Sequence, residues 1–203
     1  EITIGLPANL TAWTGCDALV HAIEGYLVPG FNPMCDGIAL EAIRLINQHL
    51  EIAVNDPRNI DSRGGMLVGS CLAGIAFLKG LGLVHAIAHM IGAEYDTHHG
   101  ITNAILLPGV LKFNENAMAE KTPQICEAMG LDNKSFDALY MALCDLLDRL
   151  DIPKNLTAIG VPADCAAVMA ERAIQDSAAA TNPRMASVDE IAEIIEIALT
   201  VGR

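Results

Sequence analysis

The stretch GLVHAIAHMIGAEYDTHHG, Gly82 to Gly100, holds four of the chain's six histidines, His85, His89, His98 and His99, in an otherwise apolar and weakly charged segment. Gly80 and Gly82 punctuate the chain before it, and the apolar spacing that follows predicts a helix from about Leu83 to Ala93, closed by a short loop, YDTHHG. Side chains four apart share one helix face, about 6 Å apart along the axis, so His85 and His89 form one polar pair.

The flanking segments carry the same period. TGCDALVHAIEGYL has a start signal at Thr14 and apolar residues at Leu19, Ile23 and Leu27. In FNPMCDGIALEAIRLINQHLEIAVN, Asn32 is the expected N-cap and Pro33 the first helical residue. Asp61 precedes SRGGMLVGSCLAGIAFLKG, whose small residues Gly65, Gly69, Ser70, Ala73 and Gly74 allow close helix approach and place this helix at the centre of a bundle. His49 reads as part of a solvated helix end. Beyond Gly100, helical spacing recurs in five further segments ending in Gly or Pro signals, and only EITIGL hints at strand alternation. The expected fold class is all-α, a single helical bundle of about eight to nine helices over residues 1–203.

Composition agrees with close-packed helices. Hydrophobic residues make up 52% of the 203 but aromatics only 4%, so the core is built from Ala, Ile, Leu, Val and Met. A formal net charge of −13 argues against nucleic acid or an anionic membrane surface as partner. Lys79, His85 and His89 interrupt the most apolar region before it reaches the roughly 18 to 20 residues of a membrane span. No secretory leader is recognisable at the N-terminus, and the six cysteines are widely spaced without a CxxC. They read as small core residues in a reducing, cytoplasmic setting.

Asp17 and His21 form a second polar pair at i, i+4, on another apolar helix. Burying such groups unsatisfied costs about 1 to 3 kcal/mol each, so capping, buried hydrogen bonding or a shared cation must compensate. Imidazoles and a carboxylate suit Fe(II), Zn(II) and other first-row divalent metals.

TGCDALVHAIEGY, AGIAF, GLVHAIAHMIGAEYDTHHGITNAILLPGVLKFN and TNPR together resemble the C-terminal helical domain of the iron-containing (group III) alcohol dehydrogenases, which have a dehydroquinate synthase-like fold. The resemblance covers essentially the whole chain. It implies a single divalent metal, Fe(II) or Zn(II), held by Asp17, His21, His85 and His99, with hydride passing between a small alcohol or aldehyde and NAD(P). It implies a catalytic position for His89 near nicotinamide and substrate, to relay a proton or place the cofactor, where a purely hydrogen-bonding role is the alternative, and a substrate pocket lined by Phe77 and bordered by Lys79, although Phe77 fits simple core packing better; His98 reads as a rim or structural residue.

The same resemblance places the dinucleotide in an N-terminal α/β domain with a glycine-rich phosphate turn. SRGGMLVGS does not follow a strand and is no such turn. The expectation is therefore the metal-binding half of an enzyme that pairs with an absent N-terminal domain or forms a homo-oligomer. The alternatives are a glycerol dehydrogenase-like relative, whose ligand pattern fits less well, and a non-catalytic helical module that binds a metal or a partner.

Overall fold

The computed structural model describes residues 1–202 and contains, among them, nine α-helices and no strand. They are α1 (Ala8–Leu27), α2 (Pro33–Asn55), α3 (Ile60–Ala76), α4 (Leu83–Tyr95), α5 (His99–Asn114), α6 (Thr122–Ala128), α7 (Phe136–Arg149), α8 (Ala166–Ala173) and α9 (Val188–Thr200). The all-α expectation holds. EITIGL instead forms turns, closed by the Ile4 and Leu6 amides donating to the Glu1 and Thr3 carbonyls.

Short polar side chains start four of these nine helices. Asn32, Asn59, Ser135 and Ser187 each accept a backbone N–H of the first turn, and Pro33 stands at the start of α2. Two expected starts move. Helix α1 begins at Ala8 behind Pro7, and Thr14 lies inside it, its hydroxyl donating to the Leu10 carbonyl. The cap of α3 is Asn59, which leaves Asp61 in the first turn, where it faces the positive end of the helix dipole.

Helices α1, α4 and α5 form the centre. Nearly every side of α1 and α5 is buried, and the buried part of α4 runs from Leu83 to Ala88 and includes Ile91. Helices α2 and α3 cover one side of α1, while α8 contacts α4 and α9 contacts α5. The expectation that α3 is central is wrong. Its small residues form one narrow stripe, in which Gly69 meets Ile46 and Gly65 meets the His49 ring, and Leu67, Val68 and Ile75 are left exposed. His49 is accordingly mid-helix in α2 and half-buried against α3, with Nδ1 3.4 Å from the Ser62 hydroxyl, rather than at a solvated end. Among the cysteines, Cys71 on α3 is exposed and Cys144 half-buried, so they are not uniformly core residues.

A turn of 3-10 helix over Phe77–Lys79 and Gly80, at φ 133°, bend α3 from α4 by 103°. Only glycine takes that backbone conformation readily. The bend drives the N-terminus of α4 into the core against α1. No single helix among the described residues is long and apolar enough to cross a membrane.

Candidate metal centre

Three elements converge where α1, α4 and α5 meet. Asp17 and His21 project from α1, His85 and His89 from α4, and His99 from the first residue of α5, with Asn103 one turn further on. The close approach of α5 to α1 depends on Gly100, because a Cβ there would stand 2.3 Å from the Trp13 carbonyl oxygen. His98 is the N-cap of α5: its Nδ1 accepts the Gly100 amide at 3.2 Å, and its ring lies 5.0 Å from Trp13. That is the structural place expected for it.

One ligand atom each from Asp17, His21 and His85 lies within 4.8 Å of the others. Ligand atoms about 2.0 to 2.2 Å from one ion stand roughly 3 to 4 Å apart, so modest side-chain adjustment would close this set around a cation. His99 Nε2 lies 3.3 Å from Asp17 Oδ1 and His85 Nε2 3.8 Å from it. The structure thus brings together all four residues expected to bind metal.

Three imidazoles are oriented through Nδ1. His21 Nδ1 donates to the Asp17 carbonyl at 2.8 Å, His85 Nδ1 to Glu24 Oε2 at 2.6 Å, and His89 Nδ1 to Asp176 Oδ2 at 2.9 Å. A ring that donates from Nδ1 keeps its neutral lone pair on Nε2. The Asn103 amide nitrogen lies 2.7 Å from Asp17 Oδ1, 2.9 Å from His99 Nε2 and 3.2 Å from His85 Nε2. Asn103 Oδ1 is buried with no hydrogen-bond partner. Asp17 Oδ1 and two imidazole nitrogens thus crowd one amide nitrogen, and an oxygen beside it lacks a partner. This donor set fits a divalent cation.

The protonation of His21 and His99 agrees with ligation, whereas His85 is charged in the metal-free protein and would have to give up its Nε2 proton to bind an ion. Burial pushes His21 and His99 below the usual histidine range, and the neighbouring His85 pushes both the same way, which favours the neutral, lone-pair form. Burial opposes the charge on Asp17, but the His85 ring close by, the hydrogen bond from Asn103 and the other imidazoles outweigh it and lower its pKa. His85 is also penalised by burial, yet Asp17 and Glu24 on opposite sides of the ring raise it to about 9 in the metal-free protein.

His89 stands beside this cluster, its ring stacked on His99 at 5.5 Å, and it faces a cleft of about 320 Å³. Phe77, Leu81, Asp176, Ser177 and Thr181 line its wall, so Phe77, which is exposed, faces the cleft instead of packing in the core. Lys79 does not border it. Its Nζ pairs with Asp36 and donates to the Tyr26 carbonyl, where, with Lys121, it caps the C-terminus of α1.

Three residues of the site escaped the sequence reading. Glu24 is seven residues after Asp17, and an acidic residue in a buried helix was a legible signal. Asn103, four after His99, was equally visible by spacing. Asp176 lies 87 residues from His89, and nothing local connects them.

Residues 11–199 match the family described as Fe-containing alcohol dehydrogenase family, C-terminal. The 1,3-propanediol dehydrogenase of Citrobacter freundii is 42% identical over 95% of this chain and 52% of its own length. The NAD-dependent methanol dehydrogenase of Bacillus methanolicus is 38% identical over 98% of this chain and 54% of its own. The crystal structure of a 1,3-propanediol oxidoreductase superposes with a TM-score of 0.94 at 41% identity, over 97% of this chain and 53% of that one. This chain spans about half the length of the curated relatives it matches. Matched by that family over residues 11–199 and alike in fold to its solved members, the chain belongs to the iron-containing alcohol dehydrogenase family and represents its C-terminal helical part.

Proposed function

We propose that this chain is the metal-holding half of an NAD(P)-dependent dehydrogenase of small alcohols, with Asp17, His21, His85 and His99 as ligands to one Fe(II) or Zn(II). The observation that carries the reading is the convergence of one carboxylate and three imidazoles, two of them with Nδ1 already committed to an oxygen, on a single point where α1, α4 and α5 meet. Bound there, the ion acts as a Lewis acid toward the substrate oxygen.

The chain's own residues do the rest. Asp17 supplies the negative charge that offsets a divalent cation, and the low pKa values of His21 and His99 keep them unprotonated at neutral pH. His89, with Nδ1 on Asp176, offers Nε2 toward the cleft as a proton acceptor or donor, the catalytic role proposed for it. Phe77 and Leu81 give the cleft an apolar wall that limits water beside the reacting carbon. The nicotinamide is supplied by a dinucleotide-binding domain N-terminal to these helices, the half of the relatives' length that this chain does not span.

The test is elemental analysis of the purified chain after Fe(II) or Zn(II) loading. One equivalent is expected, lost in the His85→Ala, His99→Ala double variant; stoichiometric metal in that variant would sink the ligand assignment. Calorimetry with NAD and NADP should show weak binding at best, because no phosphate-binding turn lies within these residues.

A further inference from the structure

Helix α4 begins without a side-chain cap of its own, because its N-cap residue is Gly82. Two groups from elsewhere in the chain take the place of one. Glu24 Oε1 accepts the Val84 amide at 2.8 Å, and Asn182 Oδ1 accepts the Leu83 amide at 3.2 Å. A Cβ on residue 82 would lie 2.7 Å from Glu24 Oε1 and 2.9 Å from Asn182 Oδ1, so glycine is what lets both reach the helix end. Both side chains are buried, and the Asn182 amide is itself fixed by the Asn114 and Arg184 oxygens.

Glu24 has a second oxygen. Oε2 stands 2.6 Å from His85 Nδ1, so one carboxylate holds both the backbone from which His85 springs and the ring itself. Both contacts require Glu24 to accept. The ring must then carry its proton on Nδ1, which directs Nε2 at Asp17 and Asn103 on the other side. Asn182 shares the helix end but makes no hydrogen bond with the imidazole, so the two capping groups separate helix support from ring orientation.

We infer that Glu24 is a positioning residue: it fixes the tautomer and orientation of His85 so that Nε2 faces the metal position, while Asn182 supports only the helix end. The inference rests on the metal-site reading above. Its sharpest consequence concerns an isosteric change. The Glu24→Gln side chain has one acceptor oxygen for two donors. If that oxygen serves Val84, the NH₂ faces His85 Nδ1 and moves the ring proton to Nε2, which blocks ligation. If it serves His85, the NH₂ opposes the Val84 amide and loosens the first turn of α4. Carboxylate partners of metal-bound imidazoles generally govern affinity in this way, by about 10- to 100-fold.

The experiment compares wild type, Glu24→Gln and Asn182→Ala by three readouts: Zn(II) affinity from chelator competition, melting temperature of the metal-free chain, and the His85 Nδ1 proton by ¹⁵N-resolved NMR. Glu24→Gln is expected to lose about 10- to 100-fold in Zn(II) affinity and to lose the low-field Nδ1 proton. Asn182→Ala is expected to lower the melting temperature while keeping that proton and a near-wild-type affinity. Unchanged affinity in Glu24→Gln, or equal loss in both variants, overturns the inference in favour of a purely structural cap. If wild type takes up no Zn(II), the functional reading above fails by itself; the Nδ1 proton, present in wild type and absent in Glu24→Gln, still decides whether Glu24 orients the ring.

Discussion

His89 and Asp176 form an imidazole–carboxylate pair, Nδ1 to Oδ2 at 2.9 Å, at the wall of the cleft beside the histidine cluster. Asp176 is held in turn by the Ala178 amide, which donates to its other oxygen at 2.8 Å. The carboxylate is thus a fixed anchor, and the orientation of His89 is set before any substrate arrives. In the enzyme that carries this chain, His89→Ala should lower kcat by about 100-fold or more if the ring moves a proton. Asp176→Asn should lower it less, with metal content unchanged in both. Steady-state rates with a short primary alcohol, next to metal analysis, check this; full activity in His89→Ala would remove the residue from the mechanism.

Metal should stabilise the isolated chain. A ligand that binds only the native state adds about 2.7 kcal/mol at a hundredfold excess over its Kd. Thermal melts with Zn(II) or Fe(II) should therefore move up, a chelator should reverse the shift, and Asp17→Ala should abolish it. His98→Ala should lower the melting temperature through loss of the α5 cap, a change of about 1 kcal/mol, and still show the metal-induced rise.

Gly100→Ala is predicted to be among the most damaging single-methyl changes. The added Cβ meets backbone, the Trp13 carbonyl oxygen at 2.3 Å and its carbon at 2.8 Å, and it stands 3.3 Å from the Asp17 Cβ. Backbone cannot rotate aside as a side chain can, so α5 must move from α1 at about 1 to 3 kcal/mol or more. Because the displaced helix carries His99, metal affinity should fall together with the melting temperature. A variant with wild-type values for both would contradict the close packing described.

The start of α9 should respond to acid. Glu190 closes a capping box with Ser187, accepting its backbone amide, and pairs with Arg184; these contacts hold its carboxyl below the usual range. A carboxylate with a lowered folded pKa contributes stability above its unfolded value near 4.5, and that contribution disappears as pH falls through the folded value. Protection of the Ser187 and Glu190 amides, measured as exchange relative to the intrinsic rate at each pH, should fall on acidification below that range, and Glu190→Gln should flatten the dependence.

Self-association is expected through the apolar residues that α3 and the following turn expose, among them Leu67, Val68, Ile75 and Leu78. Sedimentation at rising protein concentration measures it. A Val68→Lys, Leu78→Lys pair should shift the chain toward monomer, and wild type that stays monomeric throughout would count against this face as a contact.

Much of this architecture was legible because its signals are local. Helical period and the Asn32–Pro33 start gave α2, and glycine punctuation with apolar spacing gave α4 to within two residues of its end. Asp17 with His21, and His85 with His89, were legible as i, i+4 pairs, whereas His99 and the choice of His85 over His89 came only through resemblance; the fold brings the four proposed ligands together. What sequence hid depends on which face of a helix finds a partner. Gly65 and Gly69 marked close approach for α3 correctly, but nothing in their spacing says that only one side is covered. Likewise Lys79 sits two residues from Phe77 yet serves the end of α1, because the 3-10 turn sends neighbouring side chains in different directions. Pairings such as His89 with Asp176 exist only once the chain has folded back.

The Nδ1 contacts of His21 and His85 have a kinetic consequence. Because a backbone oxygen and a carboxylate, not the ion, hold these rings, and Asn103 fills the space between acceptors with a rotatable amide, the ligand geometry belongs to the folded protein itself. If the proposed ligands hold an ion, it should be exchangeable without opening the bundle, because both rings keep their places when it departs. Exchange of Fe(II) for Zn(II) should accordingly run much faster than global unfolding at the same temperature, and the identity of the resident metal would follow supply in the surrounding solution rather than the history of folding.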